Sequence, residues 1–234
     1  MKTYRASAGP VRERPFYLEP DVEGMCAEEL RKLGLLPSSP QPINIDRFIE
    51  KRFGVTPEPA DDLPASILGY TAFGAKGIQA IYVSRSLFED EAQPAKRRVT
   101  TTLAHEAGHG LLHAHLFAFE ADKNLALFGQ DANVTATKIL CRDEDTRPRS
   151  GYDGRWWELQ ANMAMAALVL PKALVLECVK PHLEPQGGLG TLVLPEPHRA
   201  AAICLVADTF DLNPIVAQHR LARLFREGNQ QLTL

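Results

Sequence analysis

Residues 100–116 contain no proline, and Val99, Leu103, Ala107 and Leu111 recur every four residues. That spacing predicts a helix with one buried face. Set into it is His105-Glu106-Ala107-Gly108-His109, an H-E-x-x-H motif. Residues four apart on a helix lie one above the other. Two imidazoles placed that way can each offer a nitrogen to one zinc ion at about 2.0–2.1 Å. Glu106 follows the first His, on the side where a metal-bound water would sit. It is expected to be the catalytic general base on that water.

A catalytic zinc takes three protein ligands and keeps one position for water or substrate. His115 falls where the pattern H-E-x-x-H-x-x-G-x-x-H places its last His, but Leu112 stands where that pattern needs a helix-breaking Gly. On an unbroken helix His115 is about 9 Å along the axis from His109, and His113 is about 12 Å from His105. Neither reaches the same ion, and His113 is expected on the helix surface. Glu158 is a better candidate: it opens a second helical stretch, with Asn162 one turn later on the same face. Asn162 could accept the outward N–H of a ligand His and fix its tautomer. Spacing alone leaves Glu120, Asp122 and Asp131 open as alternatives to Glu158, whose charge would also suit a helix N-terminus.

Around these two segments the chain reads as follows. Residues 1–20 are rich in proline and arginine and are expected to be an extended lead-in. Helices are expected over 21–33, ending at Gly34, and over 43–53, ending at Gly54. Residues 67–73 and 78–83 flank Gly74-Ala75-Lys76-Gly77, a hairpin signal. One of these strands should lie against the H-E-x-x-H helix and offer a free edge to an extended substrate. Residues 131–155 read as a loop excursion. A helix follows from Trp156, ending at Pro171, and 184–197 is a loop or irregular hairpin. Helices over 198–210 and 214–226 close the chain, with Asn213 as N-cap and Pro214 at the first helical position. The expected organisation is an N-terminal extension over 1–40, a core over 41–183, and a loop with a helical pair over 184–234.

Composition narrows the function classes. With 234 residues, 45% of them hydrophobic and 24% charged, the chain can bury one sizeable core. A net charge of −3 gives no global basic excess for nucleic acid or anionic membrane. The most apolar run, 163–179, is broken by Pro171, Lys172 and Glu177 and is too short for a bilayer. The N-terminus shows no apolar run of a secretory signal. Cys26, Cys141, Cys178 and Cys204 form no C-x-x-C spacing and suggest no disulfide framework, so a cytoplasmic location is expected.

The run Thr101-Thr102-Leu103-Ala104-His105-Glu106-Ala107-Gly108-His109-Gly110-Leu111-Leu112-His113, with Trp157-Glu158-Leu159-Gln160-Ala161-Asn162 and Leu168-Val169-Leu170-Pro171, resembles the ImmA/IrrE family of zinc peptidases. Pro42-Ile43-Asn44-Ile45-Asp46 with Phe53-Gly54-Val55 is similar to the family's opening helix. Phe210-Asp211-Leu212-Asn213-Pro214 with Arg220-Leu221 is similar to its closing helix pair. The likeness spans roughly residues 40–226, and only the two metal segments are specific.

It implies an α+β, thermolysin-like (zincin-like) core with a small antiparallel sheet against the H-E-x-x-H helix. It implies one zinc ion on His105, His109 and Glu158, with Glu106 as base. It also implies a protein substrate, a helix-turn-helix repressor of mobile-element or stress-response genes, although a shared fold does not fix a substrate. The family's common E-x-E-A-N has Gln160 in place of its second Glu here, which is expected to soften the support around the ligands. Leu140-Cys141-Arg142 reads as a structural turn or a loop over the cleft, and Cys141 is not expected to ligate the ion. Tyr152, His182 and His198 are available to steady an oxyanion, but spacing marks none of them.

Two rival readings stand beside the peptidase. One keeps the fold as a catalytically idle zinc-binding regulatory module. The other gives the basic C-terminal helices, with Arg199, Arg220, Arg223 and Arg226, a role on DNA; exposed arginines on bundle-capping helices are the commoner case, so direct nucleic-acid binding is not expected.

Overall fold

The computed structural model describes residues 2–5, 13–61, 63–74, 77–128, 137–142, 155–186 and 191–225. The chain begins with a hairpin: β1 (Lys2–Arg5) pairs antiparallel with β2 (Glu13–Phe16), and Tyr4 meets Phe16 edge-on. The described part of the expected lead-in is extended, as two strands whose ladder pairs their backbone groups. Helix α1 (Glu19–Lys32) carries Glu19 and Asp21 in its first turn and Arg31 and Lys32 in its last, complementing the helix dipole at both ends. It closes with Leu35 N–H on the Leu30 carbonyl and Gly34 N–H on that of Arg31. Helix α2 (Ile45–Phe53) starts where Asn44 Oδ1 accepts from Arg47 N–H at 2.8 Å, and buries Ile45, Phe48 and Ile49.

Next comes β3 (Glu58–Ala60), then the predicted hairpin of β4 (Ile67–Gly74) and β5 (Gly77–Ser84). After the short α3 (Arg85–Phe88) comes α4 (Gln93–Phe128), the helix that carries H-E-x-x-H. β6 (Thr137–Arg142) follows, inside the segment expected to be a loop. The sheet order is β3-β5-β4-β6, with β3 parallel to β5 and the other pairs antiparallel. Leu140-Cys141-Arg142 is therefore strand, neither turn nor loop. Ile139 is buried in a small cluster with Phe73, Leu116, Phe117 and Trp156, and backbone pairing to β4 supplies what the polar composition does not. With β6 in place β4 is paired on both sides, whereas β3 covers only Tyr82–Ser84 of β5, so among the described residues no strand lies on the outer edge of β5 over Gly77–Ile81. Among the described residues the outer side of β6 carries no strand either. Residues 131–136 and 143–154 of the expected loop lie outside the described residues.

Helix α5 (Trp156–Val169) lies across α4 and ends before Pro171, which also caps the start of α6 (Lys172–Val179). A 3₁₀ turn (Lys180–His182) leads into a short hairpin, β7 (Glu184–Gln186) with β8 (Thr191–Val193). Helices α7 (Glu196–Thr209) and α8 (Pro214–Leu224) finish the fold. Asn213 sits at the N-cap of α8, but its side chain does not cap. Its Nδ2 donates instead to the Pro94 carbonyl at 3.0 Å, and Arg97 and Gln93 both donate to Asp211. The closing helix pair is thereby fastened to the first turn of α4. No single described helix is long and apolar enough to cross a membrane; α5 and α6 with the turn after it pass that test only as a pair bent by 55°.

Two glycines of the motif helix set how closely its neighbours approach. A Cβ at Gly108 would lie 2.8 Å from the Ala161 carbonyl oxygen and 3.0 Å from Ala164 Cβ of α5. A Cβ at Gly110 would lie 2.2 Å from Ile78 Cδ1 and 2.8 Å from Phe53 Cζ. Two residues on a helix are about 200° apart, so α4 is approached from two nearly opposite sides. α1 then packs on α5, with Val22, Cys26 and Leu30 joining the main core and the Cys26 thiol facing the Ala164 carbonyl.

One substitution at two glycines should have opposite effects. Gly24→Ala, on an open face of α1 with nothing within 4 Å, is expected to stabilise by up to about 1 kcal/mol through helix propensity. Gly108→Ala gains the same propensity but must push α5 off a backbone oxygen, for a net loss of about 1–2 kcal/mol. Denaturant unfolding of both variants against the wild type reads the sign directly.

Candidate metal centre

α4 presents His105 and His109 on the face turned to α5, and both are fully buried. α5 presents Glu158 from its first turn, 6% exposed. His105 Nε2 and His109 Nε2 are 3.1 Å apart, and Glu158 Oε2 lies 3.0 Å from the first and 3.6 Å from the second. For bonds near 2.0–2.1 Å, the edges of a tetrahedral site are about 3.3–3.4 Å long. The three donor atoms are spaced like one face of such a tetrahedron, and this buried group could hold a metal ion.

The surroundings favour the same reading. Asn162 Oδ1 lies 3.0 Å from His105 Nδ1. Amide oxygen only accepts, so the His105 proton sits on Nδ1 and the Nε2 lone pair points at His109 and Glu158. Burial opposes ionisation of Glu158, but attraction to the His109 and His105 rings outweighs it and holds the carboxyl well below the usual range. A carboxylate and an imidazole nitrogen meeting within 3.0 Å inside a core are stabilised by positive charge between them, and a metal ion could supply it.

Glu106 is fully buried beside this group. The Thr71 hydroxyl of β4, itself buried, donates to Glu106 Oε2 at 2.5 Å, and lies 3.3 Å from the Glu106 main-chain oxygen. Thr71 was not singled out by the sequence, although it is the one aliphatic hydroxyl in the mostly apolar run 67–73. A hydrogen bond of this kind holds the carboxylate in place.

Two expectations need correction. His113 is not on the helix surface: it is 1% exposed, edge-on to Trp156, with Nδ1 3.1 Å from His109 Nδ1 and Nε2 3.0 Å from Gln160 Oε1. Burial, with the His109 ring beside it, pushes its pKa down to about 3, so it is neutral at ordinary pH. Gln160 does not soften the support, since it is buried and hydrogen-bonded at both ends, its Nε2 donating to the Pro15 carbonyl at 2.7 Å. Both belong here because α5 covers the α4 stripe that runs on past His109.

Among the other candidates, His115 is exposed. The side chains of Glu120, Asp122 and Cys141, and all of Asp131 and Tyr152, lie outside the described residues. The rings of His182 and His198 lie 5.9 Å apart, tilted by 48°, and His198 pairs with Glu184. Arg220 is not an exposed arginine of the C-terminal helices. It is 1% exposed, with Nε on the Leu170 carbonyl and Nη1 on Glu23. Arg223 pairs with Glu19 and Arg199 with Glu196, while Arg226 lies outside the described residues. No protein-family model matches this chain, and no curated protein matches it.

A native-state ligand adds stability by mass action, so stripping the ion with a chelator is expected to destabilise the fold. At one hundred times the dissociation constant the loss is about 2.7 kcal/mol, or roughly 5–11 °C in a chain this long. His109→Ala should show the lower midpoint without chelator and no further drop with it. A wild-type midpoint indifferent to chelator, in protein shown by elemental analysis to have carried the ion, would count against the site.

Proposed function

We propose that this chain is a zinc-dependent peptidase with a zincin-like core of the ImmA/IrrE kind, working on a protein substrate in the cytoplasm. The observation that carries the reading is the convergence of His105 Nε2, His109 Nε2 and Glu158 Oε2 within 3.0–3.6 Å, one residue away from a buried carboxylate steadied by Thr71. His105, His109 and Glu158 would hold the ion, which when bound supplies a Lewis acid that polarises a carbonyl and makes water more acidic. Three protein ligands, rather than four, are the pattern of a catalytic rather than a structural zinc.

Glu106 does the proton work. Its carboxylate takes one proton from the attacking water as the new C–O bond forms, and returns it to the amide nitrogen as the C–N bond breaks. The Thr71 O–H keeps that carboxylate in one rotamer on the floor of the site, so no ordering cost falls on the chemical step. Among the described residues no strand covers Gly77–Ile81 of β5 or the outer side of β6, and a sheet edge of this kind can pair with an extended peptide. A helix-turn-helix repressor is the substrate class we propose, on the resemblance of the two metal segments to that family.

Glu106→Gln is the decisive variant. It keeps the shape of the side chain and leaves all three ligands in place, so zinc content should equal that of the wild type. Cleavage of a co-expressed repressor should fall by about 10²–10⁴-fold. Wild-type cleavage by Glu106→Gln would overturn the general-base role. A biological effect that persists while cleavage is lost would favour the idle-module reading instead.

A further inference from the structure

We propose that His113 and Gln160 are positioning residues that decide which nitrogen of His109 carries its proton, and that the N-terminal hairpin anchors that decision. The inference rests on the metal-site reading above and deepens it. The reasoning starts at Pro15 in β2, whose carbonyl oxygen can only accept. Gln160 Nε2 lies 2.7 Å from it, so the amide nitrogen faces Pro15 and Oε1 faces the other way, 3.0 Å from His113 Nε2. An amide oxygen cannot donate, so His113 Nε2 carries the hydrogen.

His113 is buried with its other nitrogen against a second imidazole, 3.1 Å from His109 Nδ1. A neutral ring already protonated at Nε2 has a bare Nδ1, which must accept. His109 Nδ1 is then the donor, and His109 Nε2 is left with its lone pair facing His105 and Glu158. Each group in the series Pro15, Gln160, His113, His109 has one role once the first is fixed. The first and second are 145 positions apart in the chain.

The two ligand histidines are thus set by different means. Asn162, one turn from Glu158 on α5, orients His105 directly. His109 is set through two intermediaries, the second of them tied to a hairpin outside the two metal segments. Without an acceptor at residue 160, His113 is free to move its proton to Nδ1. His109 Nδ1 must then accept, and the hydrogen goes to Nε2, where a metal bond would form.

The test uses the full-length protein with ¹⁵N-labelled histidine. Ring nitrogen shifts of the zinc-free wild type should report His109 protonated at Nδ1 and His113 at Nε2. In Gln160→Leu, His109 should shift toward the Nε2–H form, and the zinc dissociation constant, from chelator competition with zinc itself, should rise about 10–100-fold. Gln160→Met, which fills similar space without an amide acceptor, should shift His109 in the same direction as Gln160→Leu, which a merely space-filling role would not require. Wild-type His109 protonated at Nε2 would overturn the relay, as would Gln160→Leu with unchanged shifts and affinity. The wild-type spectrum needs no variant, so a Gln160→Leu that does not fold leaves the question decidable. A wild type that binds no zinc at all would instead sink the metal-site reading and leave the tautomer result standing.

Discussion

Where α4 crosses α5, Gly108 lies against Ala161 and Ala164 at a separation that no side chain on α4 would permit. This contact fixes the two helices along their axes as well as across them. His105 and His109 stand three residues before and one after Gly108; Glu158 and Asn162 stand three before and one after Ala161. The same offsets on both helices put ligand against ligand and ligand against its hydrogen-bond partner. A shift of one residue along either helix would move a donor by about 1.5 Å and turn it by about 100°. The metal group is therefore a consequence of the crossing, and small residues at the crossing are what allow it.

The same interface carries a concentration of buried polarity that stability alone would not select. Thr71, His105, Glu106, His109, His113, Glu158 and Gln160 are all buried, between the sheet on one side and α5 on the other. Burying such groups costs several kcal/mol each unless they are paired, so a chain keeps them where they act. Most of the pairing is visible in the hydrogen bonds of Asn162, Thr71, Gln160 and Pro15. What those bonds leave pointing at one another are two imidazole nitrogens and a carboxylate oxygen, all acceptors. A metal ion could satisfy all three acceptors at once, and Glu106 follows the first of the two histidines in the chain.

The sequence made this much legible because helical periodicity and cap chemistry are local. The H-E-x-x-H helix, α2 between Asn44 and Gly54, and the β4–β5 hairpin all announce themselves within a dozen residues. β6 does not: Thr137-Lys138-Ile139-Leu140-Cys141-Arg142 alternates poorly, and its place depends on an open edge of β4 far earlier in the chain. α6 was hidden because Pro171, which ends α5, is also well suited to begin the next helix. His113 was misjudged for a different reason. Its distance from His105 rules it out as a third ligand, but says nothing about burial. The informative sign was that it continues the four-residue spacing of His105 and His109, with Leu112 and Leu116 close by on the covered side. Thr71 carried its signal in plain view, as the one aliphatic hydroxyl in a buried strand.

Dependence on distant parts of the chain continues beyond the hydrogen-bond series from Pro15. At the far end of α5, the Leu170 carbonyl accepts from Arg220 of α8, whose guanidinium also reaches Glu23 of α1. At the start of α4, Asp211 and Asn213 hold Gln93, Arg97 and Pro94. Both helices of the candidate metal group are thus held by the closing helix pair, one at its beginning and the other at its end. α1, which precedes the proline-rich stretch near residue 40, packs its Val22, Cys26 and Leu30 into the core they share. An arginine that composition would assign to a nucleic-acid surface is used to join three helices. The geometry at His105, His109 and Glu158 is consequently a property of nearly the whole described chain, although the residues that would touch the ion come from two short segments.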